Sequence, residues 1–303
     1  MPTTARERRW GLAAAIASVT VFGLSIGQAA PLLPLLLEER GVDTTLNGLN
    51  AGAGFIGVIV GPLLAPRWVR QFGVRDVLLV GFALDIVLTL ALKAYDSIAA
   101  WFVLRALLGL VGSTLFTSGE AWISQLAGDT GRGRIIGLYA AALSAGFGMG
   151  PLILSLTGIA GWPPFLINAA IVACAMLPLL RVSRASRAFG RGVGGSPLVM
   201  LARAPVIFGA VVVFGVYEAA LMALLPIWGV RSGLGEQSAA AILSAVYLGS
   251  IVLQVGIGWL SDRASRLAAL RLCGAVGLVG AVLLLSAPMR PPLLFCLVFL
   301  WGG

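Results

Sequence analysis

Three ionisable side chains lie inside long apolar runs of the sequence: Asp85, Arg105 and Glu218. A charge in an apolar environment is costly, so residues of this kind usually have a chemical task. If its run is helical, Glu218 lies about 20 Å from the start of that helix, near the middle of a bilayer. The ionised carboxylate is disfavoured there, which makes Glu218 a candidate for loading and releasing a proton.

Arg105 is expected to need a buried partner. An arginine inside hydrocarbon costs about 2.5–3.5 kcal/mol on insertion scales. Asp85, in the preceding apolar run, is the nearest candidate by topology. The alternative is that Arg105 lies near a helix end and extends its guanidinium to the lipid headgroups.

Other polar residues complete the predicted proton-coupling and substrate cavity. Tyr217 and Gln254 are of a type that hydrogen-bonds a solute. Glu120 stands two residues before Trp122, near the end of its run, so it is either an interfacial anchor or a member of the coupling set.

The composition identifies the solvent around these runs. Hydrophobic residues make up 59% of the 303 residues, charged residues make up 11%, and the mean hydropathy is +1.00. A water-soluble domain of this size could not bury so much apolar surface. Because lipid requires backbone groups to be paired internally, we predict an all-α membrane protein.

Several function classes are excluded by the same composition. The net charge is +9, but the basic residues are scattered between apolar runs, so we expect no nucleic-acid partner. The chain has no histidine, which excludes Ser-His, Cys-His and His-ligated metal chemistry. We therefore predict no enzyme activity, no metal and no cofactor. The cysteines Cys174, Cys273 and Cys296 are predicted to be small core residues.

Nine apolar runs have about the 20 residues that a membrane-spanning helix needs, and a tenth run starts at Pro292. The predicted spans are Trp10–Leu37, Leu49–Leu64, Val77–Leu92, Trp101–Ile123, Ile135–Leu156, Phe165–Leu180, Val206–Trp228, Ala239–Leu260 and Leu267–Ala287. A cytoplasmic N-terminus places 16 of the 21 lysine and arginine residues on the cytoplasmic side and four on the other side. The positive-inside rule therefore favours that orientation.

The order of the runs repeats along the chain. The first runs of two groups begin at Trp10 and Pro205, and prolines near their outer ends stand at Pro31 and Pro226, so both offsets are 195 residues. Gly61 and Gly258 are 197 residues apart, and each opens a predicted loop. This pattern predicts a parallel repeat of two bundles.

The repeat divides the chain into three parts: a six-helix N-terminal bundle over residues 1–180, a basic cytoplasmic linker over residues 181–205, and an incomplete C-terminal bundle over residues 206–303. The linker carries five arginines and no acid, which is typical of a solvated or lipid-facing loop. A second bundle equal to the first would extend about 70 residues beyond Gly303, by the same repeat length. We therefore expect the 303-residue chain to insert in a membrane without transporting.

The stretch GIGWLSDRASR, residues 256–266, carries a loop motif of glycine, a hydrophobic pair, a small residue, Asp-Arg and a further Arg. It resembles the loop signature of the major facilitator superfamily. The resemblance implies a cytoplasmic gate at Gly258, Asp262, Arg263 and Arg266, in which the acid and the arginines hold one conformation together. The alternative is a simple positive-inside anchor.

The first copy of this motif keeps Gly61, Arg67 and Arg70 but departs from the family pattern, because Ala65 and Pro66 stand where Asp-Arg is expected. These three residues complete the predicted gate. Arg105, followed by Gly109 and Gly112, resembles the fourth-helix arginine of the family, which is linked to proton coupling.

The fifth run, GLYAAALSAGFGMGPL, contains Gly137, Gly146, Gly150 and Pro151 at the spacing of the antiporter signature in drug-exporting branches of the family. Gly146 and Gly150 share one helix face, which permits close contact with another helix, and Pro151 bends the helix. The closing glycine pair of the signature is replaced by Leu154 and Ser155. The alternative is a general packing stripe.

The resemblance implies the major facilitator fold with about nine and a half transmembrane helices, and a monomer in the bacterial inner membrane. It implies secondary transport of a small solute together with protons, with efflux by antiport preferred. Uptake by symport is the alternative, as is a non-transporting sensor or truncated product. The resemblance is to a poorly characterised bacterial branch and names no substrate.

Overall fold

The computed structural model of the protein describes residues 5–127, 132–182, 205–263, 266–286 and 291–302. These residues form ten α-helices, and no strand occurs within these ranges. The helices are α1 (Ala5–Glu39), α2 (Thr44–Phe72), α3 (Val74–Ala94), α4 (Ile98–Ala127), α5 (Arg132–Thr157), α6 (Pro163–Leu180), α7 (Pro205–Arg231), α8 (Glu236–Arg263), α9 (Arg266–Ser286) and α10 (Pro291–Gly302). The predicted all-α membrane fold is confirmed.

Seven of these helices are long and apolar enough within the described residues to cross a membrane, namely α1 to α6 and the first part of α8. In hydrocarbon every backbone N–H and C=O must be paired inside its own segment, which is why such sequences form helices. We name the end where α1 ends and α2 begins the outer end, and the opposite end the inner end, after the predicted orientation. Helices α1–α6 form the first group, and α7–α10 form the second.

The helices extend beyond the predicted apolar spans because helical structure continues past the hydrocarbon core. The largest difference is in α2, which was predicted to end at Leu64 and continues to Phe72 through Pro62 and Pro66. Gly73, with φ of 86°, ends α2 and allows α3 to begin at the next residue.

The prediction that Gly61 and Gly258 open loops is wrong, because both lie inside helices, α2 and α8. Gly61 is buried, and a Cβ at this position would meet Ser113 and the backbone oxygen of Leu110 on α4. Gly61 therefore allows α2 and α4 to pack closely against each other and does not form a turn.

Close glycine contacts also join α1 and α5. A Cβ on Gly146 would meet the backbone of Thr20 and Leu24, and a Cβ on Gly150 would meet the backbone at Gly27 and Gln28. On the facing helix, Gly23 and Gly27 lie against the backbone of Leu143 and Phe147. Four glycines thus set the distance between two helices of the first group. Gly137 lies in α5, but its surroundings are outside the described positions.

The apolar core of the first group has an inner and an outer part. The inner part is centred on Phe82, Trp122 and Val172, and the outer part on Leu37, Trp101 and Phe165. A separate cluster in the second group joins α7, α8 and α10 around Leu225, Ile242 and Val298.

The predicted location of the cysteines is wrong. Cys174, Cys273 and Cys296 are all exposed in the structure. A lipid-facing helix surface is as apolar as a core, so an apolar run does not distinguish a buried position from one that faces the bilayer.

The two groups meet along α5 and α8, and along α1 and α7. The rings of Phe147 on α5 and Tyr247 on α8 are stacked, with centroids 5.4 Å apart and planes inclined by 15°. Near the outer end, Val230 of α7 and Ala240 of α8 pack into the cluster that contains Leu37 of α1. A cavity remains between these two contact regions.

Candidate functional site

A cavity of about 380 Å³ lies between the first group and α7. Helices α1 to α7 all contribute to its wall. Most of the wall is apolar, with Phe55, Phe147, Phe165 and Met222 as its large side chains. Small concave sites with an apolar wall and a few polar groups are typical ligand sites.

Three ionisable residues line the cavity, and they are the three that the sequence singled out. Asp85 comes from α3, Arg105 from α4 and Glu218 from α7. Residues that are separated by up to 133 positions in the sequence are therefore brought to one wall. Since Glu218 belongs to the second group, the site includes both helix groups.

The predicted pairing of Arg105 with Asp85 is wrong. Arg105 Nε donates to Asn50 Oδ1 of α2 at 3.0 Å, and no described carboxylate forms an ion pair with it. Asn50 lies one and a half turns below the outer start of α2, and Arg105 lies two turns below the outer start of α4. The contact of α2 with α4 at Gly54 and Gly109 brings these two side chains together.

Asp85 belongs to a different polar cluster, on α1, α3 and α6. Ser25 Oγ lies 3.3 Å from Asp85 Oδ2 and 3.1 Å from Asn168 Oδ1. Asn168 Nδ2 donates to the backbone oxygen of Ser25 at 3.2 Å and to Gln28 Oε1 at 3.4 Å. Gln28 Nε2 donates to the backbone oxygen of Pro164 at 2.8 Å. All four side chains of the cluster are buried.

Sequence reasoning missed Ser25, Gln28, Asn50 and Asn168. Each is a neutral polar residue in an apolar run, and each is buried in the structure. A buried amide or hydroxyl requires hydrogen-bond partners, so the signal that identified Asp85 was also present, more weakly, at these positions.

Glu218 is partly buried on the α7 wall of the cavity. The Tyr247 hydroxyl is buried, and no described residue forms a hydrogen bond with it.

Sequence reasoning missed Tyr247 as well. It proposed Tyr217, but that ring lies against Trp301 of α10, with centroids 5.5 Å apart, and does not line the cavity. Adjacent residues of a helix point to different faces, which accounts for the difference.

Two other proposed residues are not brought to the site. Glu120 is exposed on α4 and does not line the cavity. Gln254 lies in α8, but its side chain is outside the described positions.

The predicted cytoplasmic gate lies at the inner end. Gly258, Asp262 and Arg263 belong to the last turns of α8, and Arg266 starts α9, but their side chains are outside the described positions. Arg67 and Arg70 of α2 are exposed there.

The outer end carries a bidentate ion pair that the sequence analysis did not predict. Arg231, the last residue of α7, donates from Nε to Glu38 Oε1 at 2.6 Å and from Nη2 to Glu38 Oε2 at 3.1 Å. Arg231 Nη2 also donates to Thr44 Oγ1 at 2.7 Å. Glu38 lies in the last turn of α1 and Thr44 begins α2, so these bonds join the second group to the first. We call these three residues the outer latch.

Asp43 adds negative charge beside the outer latch. Its carboxylate accepts from the backbone N–H of Thr45 at 2.9 Å, as an N-cap of α2. Hydrogen bonds from Thr45 lower the pKa of Asp43 below its usual value. The carboxylate is therefore ionised at neutral pH, and its charge acts on Arg231.

Comparison with known proteins identifies the family. The sequence profile described as the Major Facilitator Superfamily matches residues 13–303. The chain belongs to the major facilitator superfamily. It is 26% identical over 259 residues to YfkF, an uncharacterized MFS-type transporter of Bacillus subtilis (strain 168). This match covers 82% of the chain, and the chain spans 65% of the length of YfkF.

Solved structures of superfamily members share the fold. A bacterial homologue of the human lysosomal transporter Spinster, in an inward-facing and unoccupied conformation, matches 99% of the chain and 73% of its own length, with a TM-score of 0.73 and 14% identity. A D-xylose-proton symporter matches 96% of the chain and 78% of its own length, with a TM-score of 0.68 and 15% identity. At these identities the likeness establishes the fold alone, and it is the predicted major facilitator fold.

Proposed function

We propose that the protein is a secondary active transporter that moves a small solute across a membrane by alternating access. The observation that carries the proposal is the cavity, which has ionisable residues of both helix groups on its wall. Relative movement of the two groups changes the distance of Glu218 from Asp85 and Arg105, and this couples the occupancy of the site to the conformation. Membership of the superfamily and the name of the relative YfkF agree with this activity.

The outer latch supports a conformation that is closed at the outer end. Arg231 joins the two groups there, and Val230 and Ala240 add apolar contact between them. For a solute to enter from the outer side, these bonds must break. The proposed gate at the inner end, with Asp262, Arg263 and Arg266, has the opposite role and holds the inner side closed in the other conformation.

The proposed coupling ion is the proton. Asp85 and Glu218 are carboxylic acids on the wall of one apolar cavity, where the neutral form is favoured and the charged form needs compensation. Loading and release of a proton at Glu218 changes the charge at the contact between the two groups. Such a change shifts the balance between two conformations.

The remaining features of the proposal are expectations from the sequence and from the family resemblance. The two helix groups are the two bundles of the fold, the arginine-rich inner end faces the cytoplasm of a bacterium, and the unit is a monomer. The glycines of α5 resemble the signature of exporters, so proton-coupled efflux is the proposed direction.

Transport in proteoliposomes with an imposed pH gradient tests the proposal on the full-length protein. We expect saturable solute flux that depends on the gradient and reverses when the gradient is reversed. Inward solute flux along with protons would replace antiport by symport. Flux that does not saturate would show a channel, and no flux with any solute would contradict a transport function.

A further inference from the structure

The guanidinium of Arg105 has more hydrogen-bond donors than the described residues accept from. Arg105 lines the cavity, and its single hydrogen bond with the described residues is the one from Nε to Asn50. A guanidinium carries five N–H groups, so four of them have no described acceptor. One of these nitrogens, Nη2, is buried, as is Nδ2 of Asn50, which also has no described acceptor. Unpaired donors of this kind are costly unless an acceptor arrives.

Among the described residues, no carboxylate compensates the charge of Arg105. Asp85 is held by Ser25 in the cluster on α1, α3 and α6, and Glu218 lies on α7. No ion pair joins either acid to Arg105 within the described part of the chain. A buried cation without an anionic partner is unfavourable, whereas an anion that reaches it gains charge-assisted hydrogen bonds.

The remainder of the cavity wall is suited to the apolar part of a small solute. The aromatic rings of Phe55, Phe147 and Phe165 line it, as does the flexible side chain of Met222. A cavity of about 380 Å³ is within the usual range for small-molecule sites. The site therefore combines a mostly apolar volume with a cationic group that no carboxylate of the described residues pairs with.

We propose that the transported solute is an amphipathic carboxylate, with its carboxylate bound by Arg105 and Asn50 and its apolar body against the aromatic wall. The inference rests on the proposed transport function only in taking this cavity as the solute site. Two of the remaining N–H groups of Arg105, one on each Nη, bind the two carboxylate oxygens side by side, and Asn50 holds the guanidinium through Nε. An amine would place a second cation beside Arg105 and leave these donors unpaired, so the site discriminates against it.

Three compounds that share a phenyl ring on a four-carbon chain and differ in their end group test the charge preference. They are 4-phenylbutyrate, 4-phenylbutyramide and 4-phenylbutylamine. The measurement is the thermal unfolding midpoint of the full-length protein in detergent, over a concentration series of each probe. We expect the carboxylate to raise the midpoint at concentrations at least tenfold below those at which the amide or the amine has the same effect. An equal or stronger effect of the amine, or no effect of the carboxylate, would overturn the proposal.

Variants of Arg105 locate the binding. Arg105→Gln should weaken carboxylate binding about 10- to 100-fold, as expected for the loss of charged hydrogen bonds. Arg105→Lys keeps the charge and should retain part of the affinity, which controls for misfolding of the glutamine variant. Lys93→Gln removes a cation outside the cavity lining and should leave binding unchanged. Unaltered carboxylate binding in Arg105→Gln would contradict the assignment.

Solute counterflow in proteoliposomes separates this inference from the proposed function. Saturable flux of another solute, without carboxylate binding, refutes the substrate class and leaves transport intact. Carboxylate binding through Arg105 without flux of any solute supports the binding site and refutes the transport function.

Discussion

At the scale of single residues, the sequence identified the charged members of the site but not their partners. Asp85, Arg105 and Glu218 stand out because a charge is rare in an apolar run, and all three line one cavity. Their pairing could not be predicted, because it depends on which helix faces meet. Asn50, a neutral amide on another helix, took the position beside Arg105 that was assigned to Asp85.

Glu218→Gln tests the proposed coupling. The substitution keeps the size of the side chain but removes its ability to exchange a proton, so gradient-driven transport should be lost while solute counterflow is retained. Glu236→Gln changes an exposed acid at the start of α8 and is the matched control, with flux expected at the wild-type level. Gradient-driven flux at the wild-type rate in Glu218→Gln would show that the coupling group is elsewhere.

Asn168→Ala tests the polar cluster of α1, α3 and α6. The side chain of Asn168 bonds to Ser25 and to Gln28, and all three residues are buried. Its removal leaves buried groups unpaired, at a cost of about 1–3 kcal/mol. We expect a lower thermal unfolding midpoint in detergent. A midpoint equal to that of the wild type would show that the cluster contributes nothing to stability.

At the scale of helices, the sequence predicted the elements and part of their contacts. Nine apolar runs near the length of a bilayer and the start of a tenth predicted the ten helices, and the spacing of Gly146 and Gly150 predicted the contact face of α5. The partner of that face could not be predicted, because the glycines of α1 have no family motif around them. The end of α2 was missed because prolines within membrane helices do not stop a helix whose neighbours support it.

Gly150→Ala tests the contact of α1 with α5. The new Cβ would meet the backbone of α1 at Gly27 and Gln28, which cannot move aside as a flexible side chain would. Overpacking of this kind costs about 1–3 kcal/mol. A lower unfolding midpoint and reduced transport are expected.

The control for this variant is Gly52→Ala. Gly52 is a helical glycine of α2 with nothing within 4 Å of a Cβ at its position. Alanine favours helix more than glycine does, so no loss of stability is expected there. An equal loss in both variants would attribute the effect to helix propensity and not to the contact of the two helices.

At the scale of the whole molecule, the proposed conformational cycle depends on contacts between distant parts of the chain. Glu38 and Arg231 are 193 residues apart, and no spacing or motif connects them. The predicted orientation puts the ends of α1 and α7 on the same side of the membrane, but it does not say which helix ends touch in a given conformation. The outer latch could therefore be identified only from the structure, whereas the inner gate was proposed from its sequence motif alone.

Arg231→Ala removes the outer latch and should shift the protein towards an outward-open conformation. Arg231 is 52% exposed and Glu38 is 19% exposed, so solvent screens the pair and we expect a change of no more than a few-fold in the equilibrium. The measurement is the rate at which a membrane-impermeant maleimide, added from the outer side, labels a cysteine at Ala51 of the cavity wall. The exposed Cys174, Cys273 and Cys296 are first replaced by serine.

Three comparisons determine whether the change of labelling rate comes from the latch. Arg40→Ala breaks an ion pair with Asp96 that lies within the first group, and it should not change the labelling of Ala51→Cys. The charge exchange Glu38→Arg with Arg231→Glu restores an ion pair between the groups and should return the rate towards the wild-type value. Asp262→Asn loosens the proposed inner gate, so it should slow labelling from the outer side. Faster labelling in Arg40→Ala to the same degree as in Arg231→Ala would mean that loss of any outer ion pair opens the cavity, and the latch would have no special role.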